Sequence, residues 1–312
     1  MNKVIYIAII ALILLPLDLL GLPQVTAPVA LLAGLIFAFT CRNPYPVFNK
    51  KCSKYLLQVA VVCLGFNMNL QESLRSGADG MLFSVVSVVS VMALGVLLGY
   101  SLHIHRKTAY LISSGTAICG GSAIAAVGPV IKADENNMAV SLGVIFILNA
   151  VALFVFPPIG HMLDMSQQQF GTWAAIAIHD TSSVVGAGEV YGEQALQIAT
   201  LIKLTRALWI IPLAIVTMFI FRDGTGKVSI PWFIFLFILA MVANTYLPLP
   251  EWLTSSLVWV ARRGMVVTLF LIGASLSLAT VRQVGVRPLL LAIALWIVIS
   301  VSSLLVVLNT IG

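Results

Sequence analysis

Residues 288–308 read PLLLAIALWIVISVSSLLVVL, without a charge. About 20 apolar residues in a helix cover the ~30 Å hydrocarbon core of a bilayer. The stretch is therefore predicted to be a membrane-spanning helix. The rest of the chain has the same character. Of 312 residues 60% are apolar and 9% charged, against about 25% charged in soluble domains. A water-facing surface cannot be built from that composition. The apolar runs also lack the strict alternation of a β-barrel.

Further runs lie near 3–20, 26–41, 54–70, 80–102, 108–131, 137–160, 169–188, 195–221, 229–247 and 256–278. With 287–310 they make about eleven spans. The first run resembles a signal peptide. Asp18 and Pro16 interrupt its end, however, and no small-x-small cleavage site precedes Pro23, so it is read as a retained span. Lys and Arg in the loops set the orientation. With a cytoplasmic N-terminus, eleven fall inside (Lys3, Arg42, Lys50, Lys51, Lys54, Arg106, Lys107, Arg222, Lys227, Arg282, Arg287). Four fall outside (Arg75, Lys132, Arg262, Arg263). The net charge of +6 thus follows topology and calls for no nucleic-acid partner. Cys41, Cys52, Cys63 and Cys119 show no zinc-ligand spacing and are expected as reduced thiols.

Immediately before the opening stretch, residues 271–285 read LIGASLSLATVRQVG, and residues 63–77 read CLGFNMNLQESLRSG. At an offset of 208, Gly65 meets Gly273, Asn67 meets Ser275, Asn69 meets Ser277 and Gly77 meets Gly285. The copies are seven spans apart, so they run in opposite directions. Inverted repeats are a signature of secondary transporters. The chain is therefore expected to be one integral membrane domain, 1–312. Its repeat-related parts lie around 54–102 and 256–310, about a core at 108–221.

That core contains the segments that break the apolar rule. Span five holds SSGTAICGGS (113–122), and span seven holds His179-Asp180-Thr181-Ser182-Ser183 followed by Gly186 and Gly188. Paired glycines lower helix propensity. Unwound backbone at membrane depth is tolerated only where it lines a cavity or is buried in protein. Half-helix N-termini then offer N–H groups to an anion, and hydroxyls add neutral donors. Span eight carries Lys203 and Arg206 on one face. Cations at mid-membrane mark a functional site by default. Asp180 is the one acid expected nearby. His179 is read as a proton carrier or as a hydrogen-bonded helix residue. His103 and His105 are expected to be solvated.

GTAICGGSAIAA (115–126), IHDTSSVVGAG (178–188), ATLIKLTR (199–206) and the LGFNMNL/IGASLSL pair resemble the YeiH-type family of bacterial membrane proteins, named as sulfate exporters. The resemblance runs over nearly the whole chain. The paired segments also look like those of the wider bile-acid, arsenite and riboflavin transporter superfamily. That likeness implies a core domain moving against a panel domain. The expected function is a secondary transporter, an exporter, of sulfate or a related sulfur oxyanion across the bacterial inner membrane. Thr116, Cys119, Gly120, Gly121, Ser122, Thr181, Ser182, Ser183, Lys203 and Arg206 are the expected substrate site. His179, Asp180, Asn67, Asn69, Ser275 and Ser277 are the expected sites for a coupling ion or proton.

The alternative is a Na+- or H+-coupled organic-anion symporter. An intramembrane enzyme, with Cys119 and His179 as the only tempting pair, or a receptor ranks below both. No nucleotide loop, metal motif or cofactor site is present. The lipid bilayer and a small anion are the expected partners, with a homodimer left open. One feature fits badly. Spans five and seven are two apart and run parallel under this topology, whereas inverted repeat mates run antiparallel. Either they are not mates, or one is re-entrant, or the count differs.

Overall fold

The computed structural model describes residues 2–15, 24–41, 44–221, 232–275 and 284–311. Among them every regular element is a helix: α1 Asn2–Leu14, α2 Ala27–Thr40, α3 Pro46–Leu64, α4 Leu70–Ser101, α5 Arg106–Ala117, α6 Gly121–Val130, α7 Glu135–Met162, α8 Gln167–Ala177, α9 Thr181–Tyr191, α10 Glu193–Ala207, α11 Ile210–Ile220, α12 Trp232–Tyr246, α13 Glu251–Ser275 and α14 Val286–Thr310. Among the described residues four stretches are long and apolar enough to cross a bilayer: Glu135–Met162, Glu193–Ile220, Glu251–Ser275 and Val286–Thr310. The second of these joins α10 to α11 through Leu208 and Trp209, a joint that Pro212 loosens by lacking the N–H for the carbonyl one turn back.

The segments expected as spans five and seven are each built as two short helices. Both fold back on themselves. At 1.5 Å per residue, α5 and α6 are about 18 and 15 Å long, and α8 and α9 about 16 Å each. None reaches across ~30 Å alone. The ends of each pair also meet. In the first hairpin, α5–α6, the Lys107 ammonium donates to the Lys132 carbonyl at 2.7 Å, and Gly115 packs on Ile124. In the second, α8–α9, the Phe170 and Tyr191 rings stack at 3.7 Å. The Tyr191 hydroxyl donates to the Met165 carbonyl at 2.6 Å, and the Gln194 N–H donates to Gln167 Oε1 at 2.9 Å.

Local chemistry makes both reversals. In the first, Gly120 sits at φ 64°, a left-handed conformation that glycine adopts without steric cost. In the second, Asp180 is extended and caps α9 with its carboxylate. Asp before Thr-Ser-Ser is a helix-start signal.

The two hairpins enter from opposite ends. α7 spans 28 residues, about 42 Å, from the base of hairpin 1 to the base of hairpin 2. α10–α11 then runs back. A hairpin followed by a long helix therefore occurs twice, and the two copies run in opposite directions.

Around this core, α3 and α13 pack antiparallel, with Gly264 against Leu56 and Ala60. α2 lies backbone-close on α13. A methyl carbon on Gly34 would fall 2.3 Å from the Phe270 carbonyl oxygen, and one on Gly273 would fall 2.6 Å from that of Leu31. Small residues in this role are the usual glue of membrane helices. α14 runs antiparallel to α8, through Trp296 Nε1 to the Ala177 carbonyl (3.1 Å) and Trp173 Nε1 to that of Ser300 (2.9 Å). In the second half of the chain the hairpin and its crossing helix precede α13–α14, whereas in the first half they follow α3–α4. Ser277 lies outside the described residues.

The hairpin topology is directly testable. In a cysteine-free background, Lys107→Cys and Lys132→Cys should react with an impermeant maleimide from the same side of the membrane. Asp164→Cys and Gln194→Cys should react from the other. Opposite sides for Lys107 and Lys132 would restore a crossing fifth span.

Candidate functional site

The hairpin tips meet near the middle of the molecule. A methyl carbon on Gly120 would lie 3.3 Å from the His179 carbonyl oxygen. Both first arms, α5 and α8, end here and leave the unpaired carbonyls of any helix C-terminus, with the negative end of the helix dipole. The chain meets them with cations from α10. Lys203 is 0% exposed. Its ammonium donates to the carbonyls of Ile118 (3.1 Å), Ala175 (3.3 Å) and Ile178 (2.7 Å), tying both hairpins together. Arg206, one turn on and 1% exposed, donates from Nη2 to the Ala117 carbonyl at 2.6 Å and from Nη1 to Ser87 Oγ on α4 at 2.9 Å.

Asp180, the acid expected near the two cations, makes no ion pair with Lys203. Asp180 Oδ2 accepts instead from the N–H groups of Ser182 (3.1 Å) and Ser183 (3.3 Å) and from the Ser182 hydroxyl. The positive end of α9 is thus covered by its own carboxylate. The N-terminus of α6 is not. Its cap residue Gly120 has no side chain to offer, and Ser122 is exposed beside half-buried Gly121. Cys119 is buried, its thiol against the Ala123 backbone N–H. Thr181, Ser182 and Ser183 form the buried first turn of α9.

A residue with no place in the sequence reading completes the junction. Asn149 Oδ1, on α7, accepts from the N–H groups of His179 (3.1 Å) and Asp180 (3.2 Å). The signal for it was present: a lone amide within a long apolar helix. Several buried polar atoms around the tips have no hydrogen-bond partner, namely Thr116 Oγ1, Asn149 Nδ2, both ring nitrogens of His179 and Arg206 Nε. Buried polar groups are normally satisfied, and each exception calls for an explanation. This set is rich in donors, so it suits a small group rich in acceptors.

The proposed cation ligands are dispersed. The Asn67 amide donates to Glu193 at 2.8 Å. Asn69 Oδ1 accepts from the Gln71 N–H at 2.8 Å, capping α4. Ser275 Oγ donates to the Leu271 carbonyl at 2.7 Å within α13. Because α3 and α13 run antiparallel, Asn67 and Ser275 lie at opposite ends of that pair. Among the described residues no group of His, Cys, Asp and Glu suits a metal ion. His103 and His105 are exposed, as expected. With Asp134 and Arg287 they line an open cleft of about 480 Å³ at the base of hairpin 1.

The family described as conserved hypothetical protein 698 matches residues 2–292. A UPF0324 membrane protein of Bacteroides thetaiotaomicron is 59% identical, covering 97% of this chain and 94% of its own length. One of Porphyromonas gingivalis is 56% identical, covering 89% and 86%. One of Vibrio vulnificus is 45% identical, covering 90% and 92%. No solved structure matches.

Proposed function

Since this chain belongs to the conserved hypothetical protein 698 family of membrane proteins, the family its motifs pointed to, we propose that it is a secondary transporter of a small anion. The observation that carries this reading is the junction itself. Two half-length hairpins from opposite ends meet tip to tip around two buried cations. Interrupted helices at mid-depth are where secondary transporters hold substrate. We place the N-terminus in the cytoplasm and the protein in the bacterial inner membrane, crossing it many times. The hairpins move Lys132 to the same side as Lys107. The positive bias then becomes twelve inside (the eleven above plus Lys132) against three outside.

A charge count narrows the substrate. Lys203 and Arg206 contribute two positive charges and Asp180 one negative. Two helix C-termini and two N-termini, at about half a charge each, cancel. About one positive charge remains, which suits a monoanion. A dianion such as sulfate would travel with a companion cation. The donors for it are Thr116, Asn149 and His179, with Arg206 Nε and the first turn of α6. Lys203 organises these groups and does not itself meet the anion. No catalytic role is proposed.

The test is uptake of labelled sulfate, and of sulfite and thiosulfate, by proteoliposomes. Arg206→Lys keeps the charge but loses the planar fork that joins Ala117 to Ser87. It should lower flux at least about tenfold. Undiminished flux would remove Arg206 from the site, and absence of flux for any anion would end the transport reading.

A further inference from the structure

About 15 Å along α10 from Lys203, ten residues away, lies a second charged cluster outside the junction. Glu193 begins α10 at the base of hairpin 2. Its carboxylate pairs with the Arg262 guanidinium of α13 and accepts from the Asn67 amide at 2.8 Å. Gln197 Nε2 in turn donates to the Asn67 carbonyl at 3.4 Å. The carboxylate therefore sits in a cradle of donors supplied by the α3–α13 side, while the carboxylate itself comes from the hairpin side. The cradle has donors to spare. Arg262 Nε and both Nε and Nη1 of Arg263 are buried without an acceptor. Glu189 on α9 faces the two arginines with Oε2 likewise unpartnered. The cluster is open at its mouth, the Arg262 and Glu193 side chains being 34% and 48% exposed.

We propose that this cradle is an entry site for the anion, which Glu193 occupies in the state seen here. A carboxylate and a small oxyanion present the same chemistry to a guanidinium: planar or tetrahedral oxygens that accept parallel N–H bonds. An arriving oxyanion takes the place of Glu193 on Arg262 and Asn67 and engages the free nitrogens of Arg263. The displaced carboxylate leaves with α10, so capture also breaks the ion pair joining the hairpin unit to the α3–α13 unit. Substrate binding is thereby linked to the relative movement of the two. No covalent step is involved.

This inference rests on the transporter reading, and the experiment separates the two. Binding of labelled sulfate to the full-length protein in detergent is measured, with sulfite and thiosulfate as competitors. Glu193→Gln removes the competing charge and should tighten sulfate binding about tenfold. Arg262→Lys keeps the charge but not the fork and should weaken it by a similar factor. In the double variant the gain from Glu193→Gln should vanish, because both changes act on one site. Thermal unfolding of each variant confirms a folded protein. If Glu193→Gln binds sulfate as the parent does, the entry site is wrong while transport stands. If the parent neither binds nor carries any of the three anions, the transporter reading falls and the entry site falls with it.

Discussion

Lys203→Met should unfold at a markedly lower temperature than the parent and carry no anion. Met is unbranched like Lys, one atom shorter, and carries no charge. The ammonium meets three carbonyls from the ends of two different half-helices, at a place no solvent reaches. Each buried carbonyl left without a donor costs about 1–3 kcal/mol, and hydrogen bonds from a charged donor are at the strong end of the range. Relief from burying a charge offsets part of that loss. A net destabilisation of about 3 kcal/mol is expected. Flux should disappear with it, because the hairpin tips lose their common tether. Thermal unfolding in detergent beside proteoliposome uptake makes the test. A folded, fully stable Lys203→Met protein with lost flux would place Lys203 on the anion and not on the scaffold.

Asn149→Leu is the second large effect. Leu fills a similar volume but accepts no hydrogen bond. The His179 and Asp180 N–H groups are then left buried without their shared acceptor, at a cost of about 2 kcal/mol. The tip of hairpin 2 would no longer be held in the extended form that starts α9, and uptake should fall at least about tenfold. Asn137 is the control. It bonds Thr108 at the base of hairpin 1, at 2.7 Å, far from the tips. Asn137→Leu should lower stability with uptake kept within a few-fold of the parent. Equal losses of uptake in both variants would mean that the tips have no special role.

Much of the site was legible because its chemistry is costly in an apolar setting. Lys203, Arg206, His179 and Asp180 stand out in any reading of this sequence, since charge inside a long apolar run demands a reason. Gly120-Gly121 and Asp180-Thr181 carry turn and cap signals that act within a few residues, and both breaks formed there. Partner choice was not legible. Asp180 was expected to serve a coupling ion or proton, and its carboxylate caps its own helix. Asn67 was expected on a cation and holds Glu193. Asn149 does not stand out in the sequence, because a single amide barely lowers the hydropathy of a long span.

Composition and local pattern are enough to set the solvent, the helices and the depth of the exceptions. Those follow from composition and from hydrogen bonds made within one helix, which membrane burial enforces locally. The turning back of segments five and seven comes from packing between elements. An apolar run of about 22 residues satisfies the hydrophobic requirement equally well as one crossing helix or as two half-length arms. The choice between them is made by contacts distant in the chain: Lys107 on Lys132, Tyr191 on Met165, and Lys203 gathering the loose carbonyls of both tips.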